Sequence, residues 1–280
     1  MSEDGWIITE PNAKIICDSV SEDGYRLTTI EATMHRFVLA EFNTHRAFSR
    51  NSASSRAIPV HKQTLRVMED PATPFEFGIN QPGMQAEETL SGEDAEKAEA
   101  IWTEATMAAV EYATELDNLG VHKQVTNRLL EPFMWHKVIV SSTEWENFFK
   151  QRCSPLAQPE MRAAATAIRD AYRLSDPTML SEDEWHLPYI TGDERSLDLQ
   201  DQIKVSVARC ARVSYLTHDG VRDPAEDIAL FEKLVSADPP HSSPLEHVAR
   251  PIPANSLWSP LGNFAYWQQL RHDWVESSTL

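Results

Sequence analysis

Thr44-His45-Arg46-Ala47-Phe48-Ser49-Arg50-Asn51-Ser52-Ala53-Ser54-Ser55-Arg56 holds three arginines, a histidine, an asparagine and four serines in thirteen positions. It follows the apolar Phe37-Val38-Leu39-Ala40 after three residues, Glu41-Phe42-Asn43. A run that polar goes inside a protein only if its groups find partners. Arg46 and Arg56 flank hydroxyls and an amide that can donate to phosphate oxygens, and the planar guanidinium meets phosphate in a bidentate way. A solvated loop is the plainer reading of the same composition. The whole chain carries a formal net charge of −18 over 280 residues. A local cationic patch on such a chain attracts a small anion, whereas the overall charge argues against non-specific nucleic-acid binding.

The spacing within this stretch resembles the signature of the flavin-dependent thymidylate synthases (the ThyX family), R-H-R-x-x-S-x-N-E-x-S-x-R. His45, Arg46, Ser49, Asn51, Ser54 and Arg56 match it. Thr44 stands where the family has its first Arg, and Ser52 stands where it has Glu.

Upstream, residues 13–20 and 25–33 read as two strands joined by the turn-rich Ser21-Glu22-Asp23-Gly24. A helix over 34–43 then delivers the signature to its end. Downstream, 57–68 reads as a helix and 70–83, with its Pro and Gly, as a loop. The clearest helix starts near Ser91, where Ser-Gly-Glu-Asp predicts an N-cap and an acidic first turn, and it ends at Gly120. Its apolar positions Ile101, Ala105, Ala108, Tyr112, Leu116 and Leu119 recur at spacings of four and three, which predicts a core-facing stripe.

Gly120 to Pro132 is similar to the family's short G-x-x-x-E-x-A-R-x-x-L-P helix, whose Arg contacts the nucleotide phosphate; Arg128 is taken as that Arg, and Gln124 replaces the Glu. An ion pair of Arg128 with Glu131 is the structural alternative. Further on, Asn147-Phe148-Phe149-Lys150-Gln151-Arg152 and Ala157-Gln158-Pro159-Glu160 resemble the family's N-F-x-x-x-R and A-Q-x-E. The resemblance gives Asn147 to the flavin and Arg152 to the pyrimidine edge. A cation beside the base polarises it toward its anionic form and makes carbon 5 nucleophilic. Cys153 has no base near it in sequence and reads as structural. Helices are expected over 159–174, 197–215 and 224–237, with a long connection at 175–193 in which Trp185 to Tyr189 packs down.

The last third of the chain inverts the family's order. Val205 to Tyr215 and His241-Ser242-Ser243-Pro244-Leu245-Glu246-His247 resemble segments that ordinarily precede the signature, the second of them lining the flavin pocket. Tyr266 to His272 looks like a partial second copy of the approach to it. The chain therefore reads as one ThyX-like domain over 1–280, with a signature-bearing part at 1–192 and a permuted or duplicated part at 193–280. His241 and His247 have no third ligand at a recognisable spacing, so no metal is expected.

The implied fold is α+β, a small, largely antiparallel sheet with long helices. The implied cofactors are FAD and methylenetetrahydrofolate, with NADPH as reductant. FAD is assigned His45, Arg46, Asn51, Asn147, His241 and Ser243. A deoxypyrimidine monophosphate is assigned Glu41, Ser52, Ser54, Arg56, Arg128 and Arg152, the last also catalytic. Glu41 stands where the family usually carries Gln, and a carboxylate there can accept from an exocyclic amine, so dCMP joins dUMP as a candidate. The family's homotetramers imply a homo-oligomer here, a tetramer or a dimer. Three widely spaced cysteines, an acidic start at Met1-Ser2-Glu3-Asp4-Gly5 and the lack of a long apolar run point to a reducing, cytoplasmic setting with no membrane contact. Three activities compete: reductive methylation of dUMP, hydroxymethylation in which water captures the intermediate, and nucleotide binding without turnover.

Overall fold

The computed structural model describes residues 10–213, 223–254 and 262–278. Strands β1 (Asn12–Ser21) and β2 (Arg26–His35) form an antiparallel hairpin, and Gly24 takes the turn at φ 86°. That conformation is one a glycine adopts without a Cβ clash. A single 3-10 turn (Arg36–Val38) and one helical turn, α1 (Leu39–Phe42), follow. The helix expected over 34–43 is thus corrected: Met34 and His35 are buried and stay in strand pairing with His136 and Trp135. Sheet pairing outcompetes helix propensity there.

Next come β3 (Ser49–Ser52), α2 (Val60–Glu69), α3 (Glu93–Asn118), α4 (Lys123–Thr126), a 3-10 segment (Asn127–Phe133) and β4 (Trp135–Ser142). They are followed by α5 (Glu146–Arg152), α6 (Pro159–Leu174) and β5 (Thr178–Leu180). The remainder holds α7 (Leu199–Arg212), α8 (Pro224–Val235), β6 (Ala249–Pro251), β7 (Trp267–Gln269) and α9 (Leu270–Ser278). Ser214 and Tyr215, expected to end α7, lie outside the described residues.

The five-stranded sheet runs β3-β4-β2-β1-β5, antiparallel throughout except for the parallel β1–β5 pair. Strand periodicity sends Ile30, Ala32, Met34, Val138 and Val140 to one face, where Phe148, Met161, Ala165 and Ile168 of α5 and α6 cover them. Ile139 on the opposite face packs with Tyr189, Cys210 and Val213. The sheet is therefore covered on one side by α5 and α6, and on the other by residues of the last third. Trp267 is fully buried against Leu27 and Leu180. This is the α+β architecture read from the sequence. No helix among the described residues is long and apolar enough to cross a membrane.

The stripe on α3 is corrected. Ile101 is 66% exposed, Tyr112 58% and Leu119 80%. The face that meets α2 and the 3-10 segment is Trp102, Thr106, Ala109, Val110 and Ala113. The Ser91 cap is corrected as well: Gly92 is the N-cap, and no side chain bonds there.

Candidate active site

Six of the thirteen signature residues are buried, and of the buried polar ones His45, Ser49 and Ser55 find side-chain partners. Ser49 to Ser52 form an edge strand on β4, in register Ser49 with Ser141 and Ser52 with Val138. Ser49 Oγ accepts from Gln269 Nε2 at 3.0 Å and Asn263 Nδ2 at 3.4 Å, so the last third covers the open edge. Asn51 points inward, and its Oδ1 is buried without a partner.

At the N-terminal end of β3 a cleft of about 380 Å³ opens between the signature and α5. Thr44, His45, Arg46, Phe48, Glu144, Asn147, Gln151 and Arg152 line it. Two sequence-distant expectations, the signature and the N-F-x-x-x-R helix, meet here. Arg152 Nε donates to His45 Nε2 at 2.9 Å. Its Nη2 donates to Thr44 Oγ1 at 3.0 Å and to Glu41 O at 3.3 Å. Among the described residues Nη1 has no hydrogen-bond partner. Thr44 Oγ1 in turn donates to Glu41 O at 2.6 Å.

An arginine donating to His45 Nε2 requires that nitrogen to be unprotonated, so His45 is neutral with its proton on Nδ1. Burial lowers the His45 pKa, and the Arg152 and Arg50 charges lower it further. The cleft thus presents cations from Arg46 and Arg152 together with neutral donors from Asn147 and Gln151. That set fits an anionic or carbonyl-rich heterocycle. The volume takes one ring system of such a ligand, as clefts of this size do. Glu41 brings its main-chain oxygen to Arg152, while its Oε2 is buried without a partner.

The other end of the signature builds a second constellation. Four strand residues at ~3.3 Å each put about 13 Å between Ser49 and Ala53. Beyond them the turn through Ser54, Ser55 and Arg56 is clamped from behind. Asn127 Nδ2 donates to Ser55 O at 2.6 Å and Ile58 O at 2.9 Å, and Lys123 Nζ donates to Ala57 O at 2.8 Å. Counted from Gly120, the family spacing G-x-x-x-E-x-A-R places its Arg at Asn127, with Arg128 one residue on. The structure turns Asn127 fully inward and Arg128 outward, where its Nη1 donates to Glu131 Oε1 at 2.7 Å. Glu131 also accepts from Ser55 Oγ and from Arg36, whose part in the constellation left no sequence signal beyond charge. Arg56 is exposed; Ser52 and Ser54 are half-buried.

His241 and Ser243 are exposed and are not among the residues lining the 380 Å³ cleft. The element that carries them nevertheless reaches the sheet: His247 Nδ1 bonds Ser141 Oγ at 2.8 Å, and Glu246 O accepts from Gln269 at 2.8 Å. Glu160 of the A-Q-x-E match is buried and accepts from Phe75 N at 2.9 Å, tying down the 70–83 loop.

A comparison with curated proteins returns no match. Two solved structures of the UMP/dUMP methylase PolB from Streptomyces cacaoi are similar to the chain. The one bound with 5-Br dUMP gives a TM-score of 0.47 at 12% identity, covering 59% of this chain and 91% of that one. The one bound with 5-Br UMP gives 0.49 at 13%, covering 59% and 90%. Residues 27–178 match the model of the thymidylate synthase complementing protein family, Thy1. That span takes in β2, the signature, α5 and α6, the elements that build both constellations, and the chain belongs to this family.

Proposed function

We propose that this chain transfers a one-carbon unit from methylenetetrahydrofolate to carbon 5 of dUMP, giving dTMP. The observation that carries the reading is Arg152, fixed by His45, Thr44 and Glu41 with Nη1 left for a ligand, in a cleft shared with Asn147. A guanidinium so held favours the ionised pyrimidine and stabilises charge as it develops on the ring. His45 holds that guanidinium as a neutral acceptor and takes no proton itself. Arg46, Asn51, Asn147 and His45 are the residues we assign to FAD, with Ser243 and His241 at its periphery. The donor set and the unpartnered Asn51 Oδ1 suit a flavin ring that both donates and accepts. Bound flavin, reduced by NADPH, supplies the reducing equivalents that turn the transferred unit into a methyl group.

We assign the nucleotide phosphate to the turn of Ser52, Ser54 and Arg56 with Arg128, and the base edge to Arg152 and Glu41. About 13 Å of strand separates these two sides within one chain. The separation supports a homo-oligomer in which two copies face one nucleotide, each copy a single domain over 1–280.

Hydroxymethylation is the second reading. Thr44, smaller than the Arg at that signature position, leaves room for water beside the base. The test incubates purified protein with methylenetetrahydrofolate and dUMP or dCMP, with and without NADPH, and reads product mass. Methylated dUMP that requires NADPH is the expected product. Hydroxymethylated product formed without NADPH overturns methylation in favour of the second reading, and no product from either nucleotide leaves binding without turnover.

A further inference from the structure

Glu131 Oε1 accepts three hydrogen bonds at once. Arg128 Nη1 donates at 2.7 Å, Ser55 Oγ at 2.8 Å and Arg36 Nη2 at 3.1 Å. The three donors come from separate places: the 3-10 segment, the signature turn and the start of α1's approach. Convergent charged and hydroxyl donors of this kind are what one phosphate oxygen receives in a built site. The charges in the cluster do not cancel, since two guanidiniums meet one carboxylate. The other neighbour of Arg36 adds no negative charge: His136 is buried, and its ring accepts from Arg36 Nη1 at 2.9 Å as a neutral imidazole. The cluster is also reachable, with the Glu131 side chain 22% exposed and that of Arg128 51%.

We propose that Glu131 is an intramolecular competitor for the nucleotide phosphate. It keeps Ser55, Arg36 and Arg128 aimed at one point, and it must leave that point when a phosphate arrives. This rests on the assignment of the Ser54–Arg128 side to phosphate. Occupation by a built-in carboxylate makes the site selective. Only a ligand with more charge than one carboxylate displaces it, so a nucleoside monophosphate binds while a nucleoside gains nothing from the cluster.

The test measures dUMP and deoxyuridine binding by calorimetry to the full chain and its variants. Glu131→Gln is expected to tighten dUMP roughly tenfold, because it removes one negative charge within contact distance of the phosphate at a partly exposed site. Deoxyuridine affinity is expected to stay the same. Glu131→Asp, which withdraws the carboxylate by one methylene and disturbs the fold less, is expected to shift dUMP the same way by a smaller factor. Weaker or unchanged dUMP binding in both variants overturns the proposal, as does failure of Glu131→Gln to fold together with weaker binding in Glu131→Asp. Arg128→Ala separates the two levels: lower dUMP affinity without change for deoxyuridine supports the phosphate assignment, and no change in either removes that assignment whatever Glu131 does.

Discussion

Arg152 can lie against His45 only because the imidazole is neutral, and burial against Phe48 and Phe148 keeps it so. The Thr44 departure then has a physical sense. Its hydroxyl accepts from Arg152 and donates to Glu41 O, closing a ring of hydrogen bonds where a second guanidinium would repel the first. If Arg152 stabilises the developing anion, Arg152→Ala raises the barrier by on the order of 3 kcal/mol, a rate drop of about a hundredfold or more. Binding of flavin should survive, since Arg46, Asn51 and Asn147 remain. Single-turnover rates at saturating nucleotide, with flavin absorbance as the control, check this; an unchanged rate removes Arg152 from the chemistry. At this scale the sequence was informative for residue types and poor for partners. The N-F-x-x-x-R spacing singled out Arg152, but nothing in it announced His45 as its acceptor. Arg128 shows the opposite limit. A one-residue offset rotates a side chain by ~120° on a 3-10 helix, and that is the difference between buried Asn127 and exposed Arg128.

The edge strand β3 and the turn after it are held by contacts from far along the chain. Asn127 is the anchor that sequence reading passed over, since a lone Asn carries no periodic or motif signal. It is fully buried and satisfies two carbonyls, Ser55 O and Ile58 O. Asn127→Ala leaves both unpaired, at about 1–3 kcal/mol for a buried group left unsatisfied. The expected outcome is a stability loss of about 2 kcal/mol, with kcat/KM falling through KM because the displaced turn is the one we assign to the nucleotide phosphate. Urea melts and steady-state kinetics together check it, and a fall in kcat alone would contradict the positioning role. The hairpin β1–β2 was legible because Ser21 to Gly24 is turn chemistry flanked by two strand-rich runs. The helix α3 was legible in extent but not in orientation. Two apolar stripes share it, and periodicity recovers a stripe without saying which one meets the core: Trp102, Val110 and Ala113 do, Ile101, Tyr112 and Leu119 do not. Strand β4 and the short strand β5 escaped reading altogether, since their pairing depends on neighbours about a hundred or more residues away.

Across the whole molecule, buried histidines join the sheet to the last third of the chain. His247 bonds Ser141, Ser141 bonds Thr29 at 2.6 Å, and Thr29 bonds His186, whose other nitrogen meets Ser19 at 2.8 Å. Burial pushes His186 and His247 down to about 3, and burial with the Arg36 charge does the same to His136. Unfolded histidine titrates near 6.5. Between those values the unfolded chain binds protons that the native chain refuses, so stability is full above pH 6.5 and falls as pH drops toward 3. Each of the three costs about 2 kcal/mol at pH 5, together about 6 kcal/mol, against a total stability that is usually 5–15 kcal/mol. Glu194, which its bond to Arg209 holds near 2, contributes stability that is lost only below its ordinary value of 4.5. The net-charge effect runs the other way: self-repulsion of a −18 chain eases as pH nears the pI of about 4.9. We therefore expect urea midpoints followed by circular dichroism to fall steadily from pH 7.5 through 6.0 to 5.0. Midpoints that stay level or rise over that range would mean that the histidines at the seam between the sheet and the last third are not held neutral by the fold.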